Sequence, residues 1–196
     1  MKSKYKSRVV LFIVLNFLLS PFIGLADDDG FQTTSQEMIK ELTRTPVKYR
    51  SLVNKKRDIK VIQRIDNKME EIIIEVVENV DIPRLKIKIE FDTNSSVLKK
   101  SSYPLLKEVG KALLSRELKN RDIMVNGHTD ADGTEQYNLK LSFDRADSVE
   151  AYLVTAFDIS EDRLRIRGYG ELDPLMPNTS SYNKQKYRRV EFELAD

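Results

Sequence analysis

The chain has 196 residues, with 33 lysines and arginines against 31 aspartates and glutamates, one histidine and no cysteine. That length allows one domain with a proper core plus an extension. The lack of cysteine excludes disulfides, thiolate metal sites and a lipid-bearing cysteine, and His128 alone cannot assemble a histidine-rich metal site.

Lys2, Lys4, Lys6 and Arg8 precede the apolar run Val9 to Leu19, which is followed by Ser20-Pro21 and Gly24-Leu25-Ala26. Basic, apolar and small-residue regions in that order predict a secretory signal over residues 1–26, cut after Ala26. An uncleaved anchor is the alternative, but the run is shorter than the roughly 20 residues of a spanning helix and is broken by Asn16 and Pro21. The signal carries four bases and no acid, so its removal leaves 29 bases against 31 acids. A near-neutral mature chain lacks the basic footprint of a nucleic-acid-binding protein.

Residues 27–83 read as an extension. Thr34 and Glu37 stand at capping-box spacing ahead of Met38, Ile39 and Leu42, predicting a short helix that Pro46 ends. Tyr49 to Arg57 is a basic, solvated linker. Ile59, Val61 and Ile65 then alternate with polar residues, Asp66-Asn67 makes a turn, and Ile72 to Val77 is β-branched, giving a hairpin. A lone hairpin is marginal in water, so this one should pack on the following domain or on a partner.

Residues 84–196 read as the folded domain. Leu85, Ile87, Ile89 and Phe91 alternate with polar residues and predict a strand. A helix capped by Ser101 or Ser102, with Pro104 in its first turn, is expected to run to about Leu118. Ile123 to Val125 is a second strand, a long helix ends near Phe157, Leu164 to Tyr169 is a third strand, Asp173 to Tyr187 a polar loop, and Val190 to Leu194 the last strand. The order β-α-β-α-β-β predicts an α+β sandwich with helices packed on one face of a mixed sheet.

Between the second strand and the long helix lies NGHTDADGTEQYNLKLSFDR, residues 126–145. At about 100° per residue, Asn138, Leu141 and Arg145 fall on one stripe of the helix, while Ser142, Ala146, Val149, Leu153 and Ala156 form an adjoining stripe that packs on a sheet. Asp130 and Arg145 are thus aimed at one pocket, where they suit a ligand bearing ammonium and carboxylate on one carbon. On spacing alone, Asp130 could instead cap the helix or pair structurally with Arg145.

The run Gly127-His128-Thr129-Asp130, Gly133, Tyr137-Asn138, Leu141-Ser142 and Arg145-Ala146 resembles the central signature of the OmpA C-terminal-like domain. Ile89-Glu90-Phe91-Asp92, Gly168-Tyr169-Gly170-Glu171 and Arg188-Arg189-Val190-Glu191-Phe192 extend the resemblance over about residues 84–194. It implies non-covalent binding of peptidoglycan through the meso-diaminopimelate of its stem peptide, with no enzyme activity and no cofactor. Asp130 would receive the ammonium and Arg145 the carboxylate, Thr129, Asn138 and Leu141 would line the pocket, and Asp92 and Arg188 would add polar contacts. By strand alternation Arg188, rather than Arg189, should reach the pocket. The pattern more often has asparagine where Tyr187 stands.

The expected location is the periplasm, at the cell wall or outer membrane, with an outer-membrane or envelope protein as a further partner through residues 27–83. A flagellar stator anchor of the MotB type shares the domain but needs a retained membrane helix with an ion-carrying aspartate, and the run Val9 to Leu19 has no acid. A second alternative is an interaction module of an envelope or secretion assembly. His128 with Asp130 lacks a nucleophile motif for hydrolysis, and a structural role at the pocket's edge is expected for it.

Overall fold

The computed structural model describes residues 31–48, 56–77, 80–92, 94–172 and 188–195. The expected signal, most of the basic linker and the polar loop from Asp173 to Tyr187 lie outside the described residues.

Helix α1 (Ser35–Thr43) begins with the predicted capping box, Thr34 accepting from the Glu37 amide while the Glu37 carboxylate accepts from the Thr34 amide. Met38 and Leu42 on its inner face are fully buried. Strand β1 (Val47–Lys48) pairs with β4 (Val80–Asp81), and between them run β2 (Lys56–Ile65) and β3 (Lys68–Val77). Asp66 and Asn67 both take positive φ, 48° and 60°, as a two-residue hairpin turn requires.

Strand β5 (Arg84–Ile87) is followed by α2 (Tyr103–Leu113), β6 (Ile123–Gly127), α3 (Glu135–Phe157), β7 (Leu164–Gly168) and β8 (Val190–Leu194). The main sheet has six strands in the order β3-β2-β7-β6-β8-β5, with β6 and β7 parallel and the other pairs antiparallel. Helix α3 is the crossover that a parallel pair needs. Register places Leu85, Ile87, Ile123, Val125, Leu164, Ile166, Val190 and Phe192 on one face. These residues join Met38, Leu42, Leu106, Val109, Leu113, Leu139, Ala146, Val149 and Leu153 in one core. Each such side chain contributes about 1.5–3 kcal/mol on burial.

The hairpin's place, left open by the sequence, is the edge of this sheet: Ile62 pairs with Gly168 and Gln63 with Arg167. Arg64 then reaches α3, donating to both oxygens of Glu150 at 3.1 and 2.8 Å and pairing with Asp147. The extension and the domain therefore share one sheet.

Several local expectations shift. Helix α2 stops at Leu113 instead of Leu118. Continuing the helix would carry Leu118 about 140° from Leu113, whereas the turn lets it return to full burial. The released carbonyls of Leu113 and Leu118 accept from Arg163 at 3.2 and 2.7 Å. Ser102 caps nothing; its hydroxyl accepts from the Glu90 amide at 2.8 Å. The first strand ends at Ile87, with only a bridge from Phe91 to Leu98 beyond it. Ala156 is exposed, unlike the rest of its stripe.

Two glycines set the height of α3 over the sheet. A Cβ on Gly127 would stand 2.0 Å from the Ser142 carbonyl oxygen, and one on Gly168 would stand 2.6 Å from the Phe143 amide nitrogen. Ser142 fills the gap, its hydroxyl donating to the Leu139 carbonyl and accepting from the Gly170 amide, both at 2.8 Å.

Gly127→Ala should destabilise the fold by about 3 kcal/mol or more, because the obstacle is backbone rather than a flexible side chain; near-native stability in urea unfolding would contradict this seating. Burial pushes the Glu150 carboxyl up from 4.5 to about 7, against the opposing pull of Arg64. Its proton is kept in the folded chain after the unfolded chain has lost its own. The associated stability is therefore full below about pH 4.5 and is lost as pH rises through about 7. Relative to Glu150→Gln, the wild type should lose on the order of 2–3 kcal/mol between pH 4.5 and 8, measurable by urea unfolding at a series of pH values.

Candidate functional site

A cleft of about 400 Å³ opens beside the N-terminal half of α3. Strand β6 ends at Gly127 and delivers Thr129 and Asp130; α3, capped by the Thr134 hydroxyl on the Tyr137 amide, delivers Asn138, Leu141 and Arg145. The segment after β5 supplies Asp92, and the residue before Arg189 and β8 supplies Arg188. All seven residues nominated from the sequence line this one cleft.

Their surroundings differ sharply. Arg145 is 5% exposed. Its Nε donates to the Ser95 carbonyl at 3.1 Å, and its guanidinium lies 5.0 Å over the Phe91 ring. Among the described residues no carboxylate stands within ion-pair distance of it. Burial, and then the charge of Arg188, hold its pKa below the usual arginine value against the opposing fields of Asp130 and Tyr137. A cation desolvated in this way gains strongly from an anion brought to it.

Asp130 neither caps α3 nor pairs with Arg145. One of its oxygens accepts from the Asp132 amide at 3.3 Å, and the other pairs with Arg188 Nη1 at 2.9 Å. Asn138 is buried and donates to Glu171 at 2.6 Å, which fixes its amide at the cleft wall. Thr129 is held through its amide on the Gly170 carbonyl, while its buried hydroxyl has no hydrogen-bond partner among the described residues. Leu141 is half-buried and Asp92 exposed. The cleft thus offers the Asp130 carboxylate paired with Arg188, one desolvated guanidinium and an open hydroxyl beside Leu141, with Glu90, Asp92 and Asp132 adding further carboxylates to its lining.

One neighbour of the site departs from expectation and one follows it. His128 is not at the pocket's edge: alternation along the chain turns it to the opposite face of the sheet, where it is buried, stacks on Tyr169 at 5.0 Å and lies 3.8 Å from Glu191. Arg189 shares that face and is fully buried, donating to Glu191 at 2.6 Å. Sequence reasoning also missed what holds the site. Phe91 and Ser95 support Arg145, and Glu171 supports Asn138. Glu171 ends the Gly168-Tyr169-Gly170-Glu171 motif, but spacing cannot assign its contact.

The sequence pattern of the OmpA family matches residues 90–188, that is 99 of the 196 residues. The chain belongs to the OmpA family. It is 39% identical over 104 residues to outer membrane protein A of Bordetella avium, covering 53% of this chain and 52% of that protein. It is 32% identical over 114 residues to outer membrane porin F of Pseudomonas aeruginosa, covering 58% of this chain and 32% of that one. The chain therefore spans between a third and a half of those relatives. Among solved structures it is similar to the cell wall anchor of the T6SS from Pseudomonas aeruginosa, with 27% identity, a TM-score of 0.50, and coverage of 59% of this chain and 85% of that chain.

The geometry separates the two adjacent arginines, placing Arg188 at the cleft and Arg189 inside the protein. Arg189→Ala should lower stability by about 3 kcal/mol, because it removes the close partner of a buried carboxylate and leaves Glu191 only the 3.8 Å contacts of Arg84 and His128. Arg188→Ala should leave the melting temperature near wild type and weaken ligand binding more than Arg189→Ala does in protein that is still folded. Melting curves of both variants beside a binding assay decide it, and the reverse pattern would contradict the placement.

Proposed function

We propose that the cleft binds peptidoglycan by holding the meso-diaminopimelate of its stem peptide between Asp130 and Arg145. The supporting observation is the buried Arg145 guanidinium, with no carboxylate in ion-pair distance among the described residues, set in the same cleft as Asp130. A residue carrying both charges on one carbon can satisfy both groups, its carboxylate on the planar fork of Arg145 and its ammonium on Asp130. Thr129 is available to hydrogen-bond the ligand, Asn138 and Leu141 shape the wall, and Asp92 and Arg188 contact the rest of the stem. The ammonium must take Asp130 from Arg188 or share it, so Arg188 is freed toward the ligand as the stem enters.

OmpA-type domains bind without making or breaking a bond, and the chain is accordingly a binding protein rather than an enzyme. It belongs to the bacterial envelope, as its outer-membrane relatives do. Its role there is to tether the wall to the outer membrane or to an envelope complex, with residues 27–83 available to a second protein. Residues 1–26 act in this scheme as the export signal.

Each charge-assisted hydrogen bond is worth about 1.5–3 kcal/mol, so loss of either charge should weaken binding at least about tenfold. The chain from Asp27 onward should be retained by sedimented diaminopimelate-type peptidoglycan and not by lysine-type peptidoglycan, and Asp130→Ala and Arg145→Ala should abolish that retention while remaining folded. Equal retention of wild type and both variants would refute the assignment.

A further inference from the structure

Strand β3 is the free edge of the six-stranded sheet. Its backbone pairs with β2 on one side, and among the described residues no hydrogen bond leaves its other side. Protein edges are ordinarily protected by shortness, edge charges (lysine above all), proline, bulges or inward-pointing charge. This one is ten residues long, free of proline and glycine, and in unbroken register with β2 from Lys56↔Val77 to Ile65↔Lys68. Its one lysine, Lys68, sits at the turn, while Ile73 is 72% exposed at the strand's middle and Met69 52% exposed beside the turn.

The two faces of the strand have different chemistry. Register puts Met69, Glu71, Ile73, Glu75 and Val77 on the side of Ile62, alternating apolar and acidic. Ile72, Ile74 and Val76 lie on the other side, half-buried with Ile59 and Val61. What satisfies such a strand is visible on its paired side. β2 brings Lys56, Arg57, Lys60 and Arg64 against a single acid, Asp58, and Lys56 pairs with Glu75 at 2.8 Å. Lys60 and Arg64, each two positions from Ile62 opposite Glu71, are taken by Glu135 at 3.0 Å and by Glu150 and Asp147 respectively. Glu70 and Glu71, on opposite faces of β3, are both exposed and make no salt bridge among the described residues, although the charge of Glu71 is felt by Lys60.

We infer that β3 is a docking edge that accepts an extended segment of another protein as a seventh strand. That segment carries lysine or arginine opposite Glu70, Glu71 and Glu75 and β-branched residues opposite Ile72–Ile74. Main-chain hydrogen bonds give such a contact its strength and the alternate side chains its selectivity. A second copy of this chain is a poor occupant: its β3 brings three glutamates and a single lysine at the turn, and antiparallel pairing about Ile73 would set Glu71 of each opposite Glu75 of the other. The cleft residues come from the other side of the sheet, around β6, β8 and β5, so a strand added at β3 leaves the cleft open. The inference does not depend on what the cleft holds.

The test uses the full chain and the peptide Val-Val-Lys-Val-Ile-Val-Lys-Lys-Val on a neutral solubilising tail, with a control in which each lysine is glutamate. Binding is read by fluorescence anisotropy and located by amide hydrogen exchange. The lysine peptide should bind at least about tenfold more tightly than the glutamate peptide and slow exchange within Lys68–Val77. Ile73→Lys should remove that binding with the melting temperature retained. The double variant Glu70→Lys, Glu71→Lys should reverse the preference between the two peptides, a result that general stickiness or partial unfolding would not produce. No binding, equal binding of both peptides, or protection away from β3 would overturn the inference. So would a dimer in sedimentation that Ile73→Lys dissolves, since a second copy would then be the occupant.

Discussion

The contact on which the molecule depends is the seating of α3 against β6 and β7. At Gly127 and Gly168 the helix backbone lies where a side chain would have to be. Ser142, small and able both to donate and to accept, is the residue that lets a helix turn meet a sheet there without leaving buried polar groups orphaned. This close approach fixes the rotation of α3 as well as its height. Asn138, Leu141 and Arg145 consequently emerge along the edge of the helix where β6 releases Thr129 and Asp130. The cleft residues of α3 are placed by packing, while Asp130 and Arg188 hold each other as an ion pair.

Electrostatics then separates three roles among residues that look alike in sequence. Arg145 is desolvated and supported by a carbonyl and an aromatic face, a state that leaves its charge available. Arg188, exposed and paired with Asp130, occupies the position a ligand cation would take. Arg189, one residue on and on the opposite face, is locked to Glu191 inside the protein. Alternation along the chain thus sends neighbouring arginines to the cleft and to the interior. A similar division applies to the acids: Asp130 serves the cleft, while Glu150 is buried at the joint where Arg64 fastens the hairpin to α3.

Much of this was legible in the sequence where local chemistry and periodicity agree. The capping box at Thr34 and Glu37, the Asp66-Asn67 turn, the long helix to Phe157 and the face shared by Asn138, Leu141 and Arg145 all follow from short-range rules. What escaped is set by contacts between distant segments. The hairpin's attachment through Ile62 to Gly168 spans over a hundred residues, and nothing local in either strand announces it. The early end of α2 is decided by the core's demand for Leu118, and the hydroxyl of Ser102 is drawn away from the helix start by Glu90. His128 and Arg189 were hidden for the same reason. An alternating strand shows which residues oppose which, but not that its second face is also buried.

The most direct test of the zwitterion clamp is a crystal structure of the chain with a meso-diaminopimelate-containing stem peptide. The clamp predicts the ligand's carboxylate on the Arg145 guanidinium and its ammonium on Asp130, with the Arg188–Asp130 pair opened or shared. A stem peptide bound elsewhere on the molecule, with Arg145 untouched and Arg188 still closed on Asp130, would contradict it.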